Sequence, residues 1–313
     1  MSRPRAGYIG FNRVPAASAA NSAASGMWNV REAESLKRAG TWPIAFVDPT
    51  SITGLQLWLD AADPSVLFDA TTGGSLVAAN GAVARWEDKS GNGRHATQAD
   101  SGRRPTKRNA VLNGLSALTF DGSSNQSVSD FMQIESSTSA FNFLHLAQGT
   151  VFVAAINGTQ QNYNDIRSWI DNCGLGAGRG FYFGPDDRSS REVNNIAICL
   201  GGNQENSVRV DTSDDFVVMQ SAKIYSVVVN NTAQASSRLF VYKNGVDSGA
   251  RNSKSGSASG DASFAMVIGA SGVGDGAFPF QGDMLEILVY NSALSDTDRA
   301  RIENSLIAKW AIT

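Results

Sequence analysis

Residues Gly282 to Thr313 read GDMLEILVYNSALSDTDRARIENSLIAKWAIT. Met284, Glu286, Leu288 and Tyr290 alternate with Leu285, Ile287 and Val289, with β-branched residues in the middle. This predicts a strand from Met284 to Tyr290, apolar on one whole face and half apolar on the other. After a short turn, Ser295 is placed to cap a helix, with Asp298 three residues on as a capping-box variant. Ile302, Leu306 and Trp310 recur at i, i+4 and i+8, so a helix running to about Trp310 carries one apolar stripe that needs a surface to cover.

The rest of the 313 residues is consistent with a sheet-rich partner for that helix. Thirty-one glycines, many Ser, Asn and Asp, and short apolar runs fit many turns between short strands. Strands are expected at 55–61, 83–86, 117–121, 150–157, 166–170, 181–183, 195–200, 216–220, 224–230, 238–243 and 264–269. Asn244-Gly245 tolerates the positive φ angles of a type I′ hairpin turn. The polar run 246–261 reads as a long exposed loop. No repeat of fixed period is visible, which sets aside solenoids and propellers.

Composition also excludes several chemistries. With 26 basic and 29 acidic residues the formal charge is −3, which offers no electrostatic footprint for nucleic acid. The basic run Arg103-Arg-Pro-Thr-Lys-Arg108 has no aromatic or glycine-rich companion and reads as a solvated loop. Cys173 and Cys199 set no disulfide framework, and with His95 and His145 they are too few for a zinc site; buried thiols are the plainer reading, with a pairing left open. No Gly-x-Ser-x-Gly elbow accompanies either histidine, and Gly174-Leu-Gly-Ala-Gly-Arg-Gly180 lacks the Lys-Ser/Thr of a phosphate loop. No apolar run is long enough to span a membrane, and the N-terminus has no continuous apolar core of a secretory signal, so assembly in a cytoplasm is expected.

The closing stretch, taken with three earlier ones, resembles a known family. Gly54-Leu-Gln-Leu-Trp-Leu-Asp-Ala-Ala-Asp63, Trp86-Glu-Asp-Lys-Ser-Gly-Asn-Gly-Arg-His-Ala96 and Leu118-Thr-Phe-Asp-Gly122 precede it in order. Together they look like the concanavalin A-like (laminin-G-like) jelly-roll domains of bacterial and phage surface proteins. The resemblance covers 54–313 and implies an all-β jelly-roll sandwich over 51–313, closed by the C-terminal helix. Relatives of this architecture include β-glucanases with Glu-x-Asp-x-Glu on one strand. That pattern is missing here, and the nearest pair, Asp283 and Glu286, is oddly spaced and expected on opposite faces. No enzymatic activity is therefore expected, and a glycan hydrolase is the weakest reading. The resemblance also allows a calcium ion beside ligand loops, with Asp186, Asp187, Asp214 and Asp215 as candidates, although adjacent loop acids are more often only solvated. No metal or other cofactor is assigned.

Residues 1–50 form the second part of the expected organisation. The first twenty-five are rich in small residues, with Tyr8 and Phe11 among them, and bury too little to order themselves alone. Asn29 and Glu32 then mark the start of a helix over 30–39 that Gly40 and Pro43 end. Val30, Ala33 and Leu36 lie on one side of it, flanked by Trp28 and Trp42. This segment looks like one common to structural proteins of tailed phages, ahead of a variable display domain. Tyr8, Phe11, Trp28, Val30, Leu36 and Trp42 are the candidate anchor.

The leading expectation is a phage virion protein, a head decoration, fibre or tail appendage, that holds other virion proteins through residues 1–50 and turns the jelly roll outward. Such roles favour a homo-oligomer, a trimer above all. A host-surface glycan is the expected ligand, and the densest mixture of aromatics with Asn and Asp is Tyr163, Asn164, Asp165, Trp169, Tyr182 and Asp186. Ordinary burial explains Trp169 and Tyr182 equally well. The alternative is a glycan-binding adhesin, or lectin, of a bacterial surface.

Overall fold

The computed structural model describes Arg31, Glu34 and residues 46–159, 166–174, 179–186, 195–200 (backbone only), 216–234, 237–249 and 260–313. Its strands are β1 (Leu55–Asp60), β2 (Leu67–Phe68), β3 (Arg85–Trp86), β4 (Ala96–Thr97), β5 (Thr106–Leu112), β6 (Leu115–Asp121), β7 (Met132–Ile134) and β8 (Gln148–Asn157). They continue as β9 (Ile170–Asp171), β10 (Phe181–Asp186), β11 (Asn195–Leu200), β12 (Ala222–Asn230), β13 (Leu239–Lys243), β14 (Val246–Asp247), β15 (Val267–Ile268) and β16 (Gln281–Tyr290). Helices α1 (Phe143–Leu146) and α2 (Asp296–Trp310) and short 3-10 turns at Pro49–Ser51, Pro64–Val66 and Ser101–Arg103 complete the described elements.

Two antiparallel sheets make an all-β sandwich. One runs β14-β13-β12-β8-β16-β6-β5, with β1 also on β16; the other runs β11-β10-β9-β15-β7-β4-β3-β2. Strand β16 is the hub, because one edge pairs with β8 while its first half pairs with β6 and its second half with β1 on the other edge. Between the sheets lies the main core, built from alternate residues such as Leu57, Leu59, Val151, Val153, Tyr225, Val227, Ile287 and Val289. The intervening residues Trp58, Phe152, Ala154, Leu288 and Tyr290 face outward onto Ile302, Leu306 and Trp310 of α2. The stripe read from the sequence thus finds its surface, and Ser295 Oγ accepts from Asp298 N–H as the expected cap.

The face assignment of β16 needs a correction. Met284 pairs with Ala155 and Glu286 with Ala154, so Leu285 and Glu286 together oppose one residue in a β-bulge. The bulge shifts the alternation, sending Met284 inward with Ile287 and Val289, and Leu285 outward with Leu288 and Tyr290. Asp283, bonded to Thr119 Oγ1, and Glu286 therefore share the outer face rather than lying on opposite ones.

Several shorter expectations also change. The strand at 166–170 reduces to a single bridge at Ile166 and the two residues of β9, and 264–269 reduces to β15. At 216–220 only Met219 bridges, to Asn157, while Phe216 and Val217 are buried without strand pairing. The basic run is not a solvated loop, because it opens β5 and its cations satisfy carbonyls. Lys107 is 6% exposed and its Nζ donates to Val77 O at 2.8 Å, Arg104 donates to Gln98 O and Ala99 O, and Arg103 lies 4.4 Å from the Phe131 ring centroid. Asn244 and Gly245 have φ of 48° and 80°, as the hairpin requires.

Of the helix expected at 30–39, Arg31 and Glu34 are helical; its other residues, with Tyr8, Phe11, Trp28, Val30, Leu36 and Trp42, lie outside the described residues. Residues 46–52 pack against α2 and β16. Val47 N–H donates to Ser305 Oγ of α2 at 3.1 Å, and Tyr290 OH donates to Pro49 O at 3.0 Å. Residues 46–52 are thus fastened to the helix-covered face.

Candidate functional site

Residues from three of the singled-out stretches, Trp58 and Asp60, Lys89, and Glu286, meet Lys309 and Trp310 at the junction between α2 and the first sheet. Trp58 and Asp60 come from β1, Lys89 from the turn after β3, Glu286 from the bulge of β16, and Lys309 and Trp310 from the end of α2. Asp60 stands directly opposite Glu286 across the β1–β16 pair. Lys309 Nζ lies 2.6 Å from Asp60 Oδ1 and 2.6 Å from Glu286 Oε2, and Lys89 Nζ lies 3.0 Å from Asp60 Oδ2 and 2.8 Å from Asp63 Oδ2. Two indoles complete the Glu286 shell, Trp58 Nε1 at 2.8 Å and Trp310 Nε1 at 2.9 Å.

This junction is nearly dry, which sets its electrostatics. Burial pushes the Glu286 carboxyl up, and the neighbouring Asp60 pushes it further, against the pull of Lys309. Burial pulls the Lys309 ammonium down, but Glu286 and Asp60 more than offset it and hold it above the ordinary lysine range. Asp63 is brought to about 2, since the hydrogen bonds and charge of Lys89 and the bonds from Ser65 outweigh its own burial.

The turn containing His95 is knitted by Asp88. Its carboxylate accepts from Trp58 N–H, Ser90 N–H and Arg94 N–H, while His95 Nδ1 accepts from Asp88 N–H at 3.1 Å. Lys89 N–H donates to Trp58 O, so the turn lies along β1. His145, on α1, is buried with its Nε2 3.1 Å from Gly260 O. Each histidine is occupied in holding a loop.

Asp121 and Asp130 brace the loop between β6 and β7 by a reciprocal pair, each backbone N–H donating to the other's carboxylate at 3.0 Å. Burial and the Asp121 charge raise Asp130 to about 7. The folded state therefore keeps a proton that the unfolded chain releases near 3.8, so this group's contribution to stability is full below that pH and lost as pH rises through 7. Asp130→Asn, which keeps an acceptor for Asp121 N–H, is expected to stabilise the protein at pH 8 on the order of 1 kcal/mol after solvent screening, and to change little at pH 4. Thermal melts at the two pH values check this, and an equal shift at both would contradict it.

Of the six residues chosen as a glycan contact, Tyr163, Asn164 and Asp165 lie outside the described residues. Trp169 is fully buried, stacked on Tyr225 with ring centroids 4.5 Å apart, and its Nε1 donates to Asn157 Oδ1. Tyr182 is fully buried and its OH donates to Arg167 O at 2.8 Å. Asp186 is 1% exposed and bridges to Ile166. That bridge ties Ile166 to the end of β10 in the second sheet. Cys173 is buried beside Ile166 and Tyr182, while the Cys199 side chain lies outside the described residues, as do Asp187, Asp214 and Asp215. Among the described residues no group of three His, Cys, Asp or Glu side chains is placed to hold a metal ion, and no helix is long and apolar enough to cross a membrane.

No protein-family model matches the sequence, and no curated protein matches it. Solved structures do. The binding domain of Paraclostridial Mosquitocidal Protein 1 superposes with a TM-score of 0.52 at 12% identity, covering 83% of this chain and 53% of that one. Botulinum neurotoxin type C, in a structure concerned with cell entry through two ganglioside molecules, gives 0.53 at 11% identity, over 81% of this chain and 51% of that one. Domain 4 of AbnA, a GH43 extracellular arabinanase from Geobacillus stearothermophilus, in complex with arabinotriose, gives 0.51 at 11% identity, over 80% of this chain and 98% of that one. The likeness is one of fold. This chain spans about half of the two toxin chains and nearly all of the arabinanase domain.

Proposed function

We propose that this chain is a glycan-binding β-sandwich module displayed on the outside of a phage particle, with no catalytic step of its own. The observation that carries the glycan reading is the shared fold with a domain that holds arabinotriose, over nearly the whole of that domain. The motif residues support a non-catalytic reading because they are spent on the fold. Glu286 is 1% exposed and fully engaged by Lys309 and two indoles, and Asp283 is bonded to Thr119. A hydrolytic carboxylate pair must be open to substrate and water.

The arrangement of the two faces supports display. Residues 46–52 join the fold on the helix-covered side of the first sheet, while Asp186, one of the six glycan candidates, and Ile166, which follows Asp165 in sequence, belong to the second sheet across the core. An attachment through residues 1–45 would leave that second sheet facing away from the particle. Other virion proteins would be the partners on the attached side, and a homo-oligomer, such as a trimer, would multiply weak glycan contacts.

The test applies the full-length chain to an array of bacterial surface and plant-type oligosaccharides, followed by calorimetry with the best binder. Retention of a defined glycan class, abolished by substituting Tyr163 and Asp165 together, is the expected result. Binding no greater than that of heat-denatured protein would sink the glycan reading. Cross-linking of purified particles checks the display reading separately, through links from residues 1–45 to other particle proteins. Recovery of the chain only from a bacterial surface would favour an adhesin.

A further inference from the structure

The α2 junction contains a complete set of groups for making an amide bond inside the chain. We propose that Lys309 Nζ and the Asp60 side chain condense into an intramolecular isopeptide bond, with Glu286 carrying the proton and Lys89 stabilising the oxyanion. The proposal rests on placement. Asp60 and Glu286 are fixed opposite each other by strand register, and Lys309 reaches both from the end of α2 with 2.6 Å to each carboxylate. The three side chains are 7%, 1% and 10% exposed. Surface lysines and aspartates do not condense, because both stay ionised and mobile in water. A buried pair held in contact gains the large effective concentration of an oriented intramolecular reaction.

Each neighbour has a part in the step. Its two carboxylate partners favour the Lys309 ammonium, so the reactive form is the proton-transferred one: Lys309 gives a proton to the Glu286 carboxylate, whose proton affinity burial raises, and Glu286 hands it to Asp60 Oδ1. The freed amine then attacks Cγ of the Asp60 carboxylic acid and forms the C–N bond. Negative charge then collects on Asp60 Oδ2, where Lys89 Nζ stands at 3.0 Å, itself held by Asp63. Glu286 then relays a second proton from the nitrogen to Oδ1. Oδ1 departs as water, the carbonyl reforms, and Glu286 ends in its starting state. An ammonium and a carboxylate have become a neutral amide and one water, with no oxidant, metal or nucleotide consumed. Trp58 and Trp310 act as positioning residues: their indole N–H groups hold the Glu286 carboxylate, and their ring centroids lie 4.4 Å from Lys89 Nζ and 5.3 Å from Lys309 Nζ respectively.

Intact-mass spectrometry of the purified full chain decides the matter. The expected mass is that of the sequence less one water, with a branched tryptic peptide joining the segments that contain Asp60 and Lys309, and no cleavage after Lys309. Glu286→Gln is expected to restore the full mass while the chain remains folded by circular dichroism; Lys309→Arg does the same should the glutamine variant fail to fold. A wild-type chain of full sequence mass would overturn the proposal, leaving the junction an ion-pair network. So would a water deficit that maps elsewhere, for example to cyclisation at Asp121-Gly122.

Discussion

Glu286→Ala is expected to lower the free energy of unfolding by about 3–5 kcal/mol, the cost of breaking a buried charge pair from one side. The substitution strips two indole N–H groups of their acceptor and, because the Lys309–Asp60 amide cannot form without Glu286, leaves the Lys309 ammonium leaning on Asp60 alone, which already serves Lys89. Nothing apolar replaces the carboxylate, and Trp58, at 8% exposure, is too enclosed for water to take its place freely. The measurement is a denaturant titration, in which the midpoint should fall while the slope stays constant. Glu286→Gln also leaves the amide unformed but keeps an acceptor and most of the volume, so its cost should be smaller than that of Glu286→Ala. A Glu286→Ala loss below about 1 kcal/mol, the range of an exposed pair, would mean that the junction is wetter than its geometry implies.

Trp169→Ala separates a structural from a ligand-contacting tryptophan. The indole leaves the second sheet just before β9, stacks on Tyr225 of the first sheet, and meets Phe183 edge-on with centroids 5.1 Å apart. It also donates to Asn157 at the end of β8. Removing it opens a cavity between the sheets, at an expected cost of about 3–5 kcal/mol. Glycan binding by the variant should decline only in proportion to the unfolded fraction. A stable variant that had lost binding would instead put Trp169 at the ligand surface and contradict its burial.

How much of this was legible in the sequence depends on which physical signal each part leaves. The α2 helix was readable to its cap and its stripe, because a 3.6-residue period over fifteen residues and a Ser295–Asp298 box are local signals. Long central strands such as β8 and β12 were readable from continuous apolar runs. Two-residue strands such as β3, β4 and β15 leave almost no periodic signal, since their pairing is decided by neighbours far along the chain. The bulge at Leu285–Glu286 defeated the alternation argument outright. One extra residue reverses every face assignment before it, and only the partner strand reveals it.

The candidate site divides in the same way. The motif stretches could be recognised, but their convergence could not, because Trp58, Lys89, Glu286 and Lys309 come from four elements. A hint existed in the acids and lysines embedded in strongly apolar runs, Asp60 after Leu57-Trp58-Leu59 and Glu286 within Met284 to Tyr290. Charges in such places are kept only when something nearby repays their desolvation. Trp169 and Tyr182 carry no such flag, since an aromatic on a buried strand and one at a sugar site have the same letter. Arg103 and Lys107 misled in the opposite sense: grouped cations suggest solvent, yet each had a carbonyl to serve.

The position of β16 also fixes the order in which the molecule can be made. Strands β1, β6 and β8 all lean on it, and among the sixteen it is the last to leave the ribosome. Until Gly282 to Tyr290 emerge, β1 has no partner in its own sheet, and residues 46–52 have no helix to rest on. More than two hundred residues separate β1 from β16, so their pairing is a long-range closure that slows folding and leaves the β16-facing edges of β1, β6 and β8 open until it forms. A chain cut short ahead of Gly282 would lack the pairings of β1, β6 and β8 with β16 and keep those edges open.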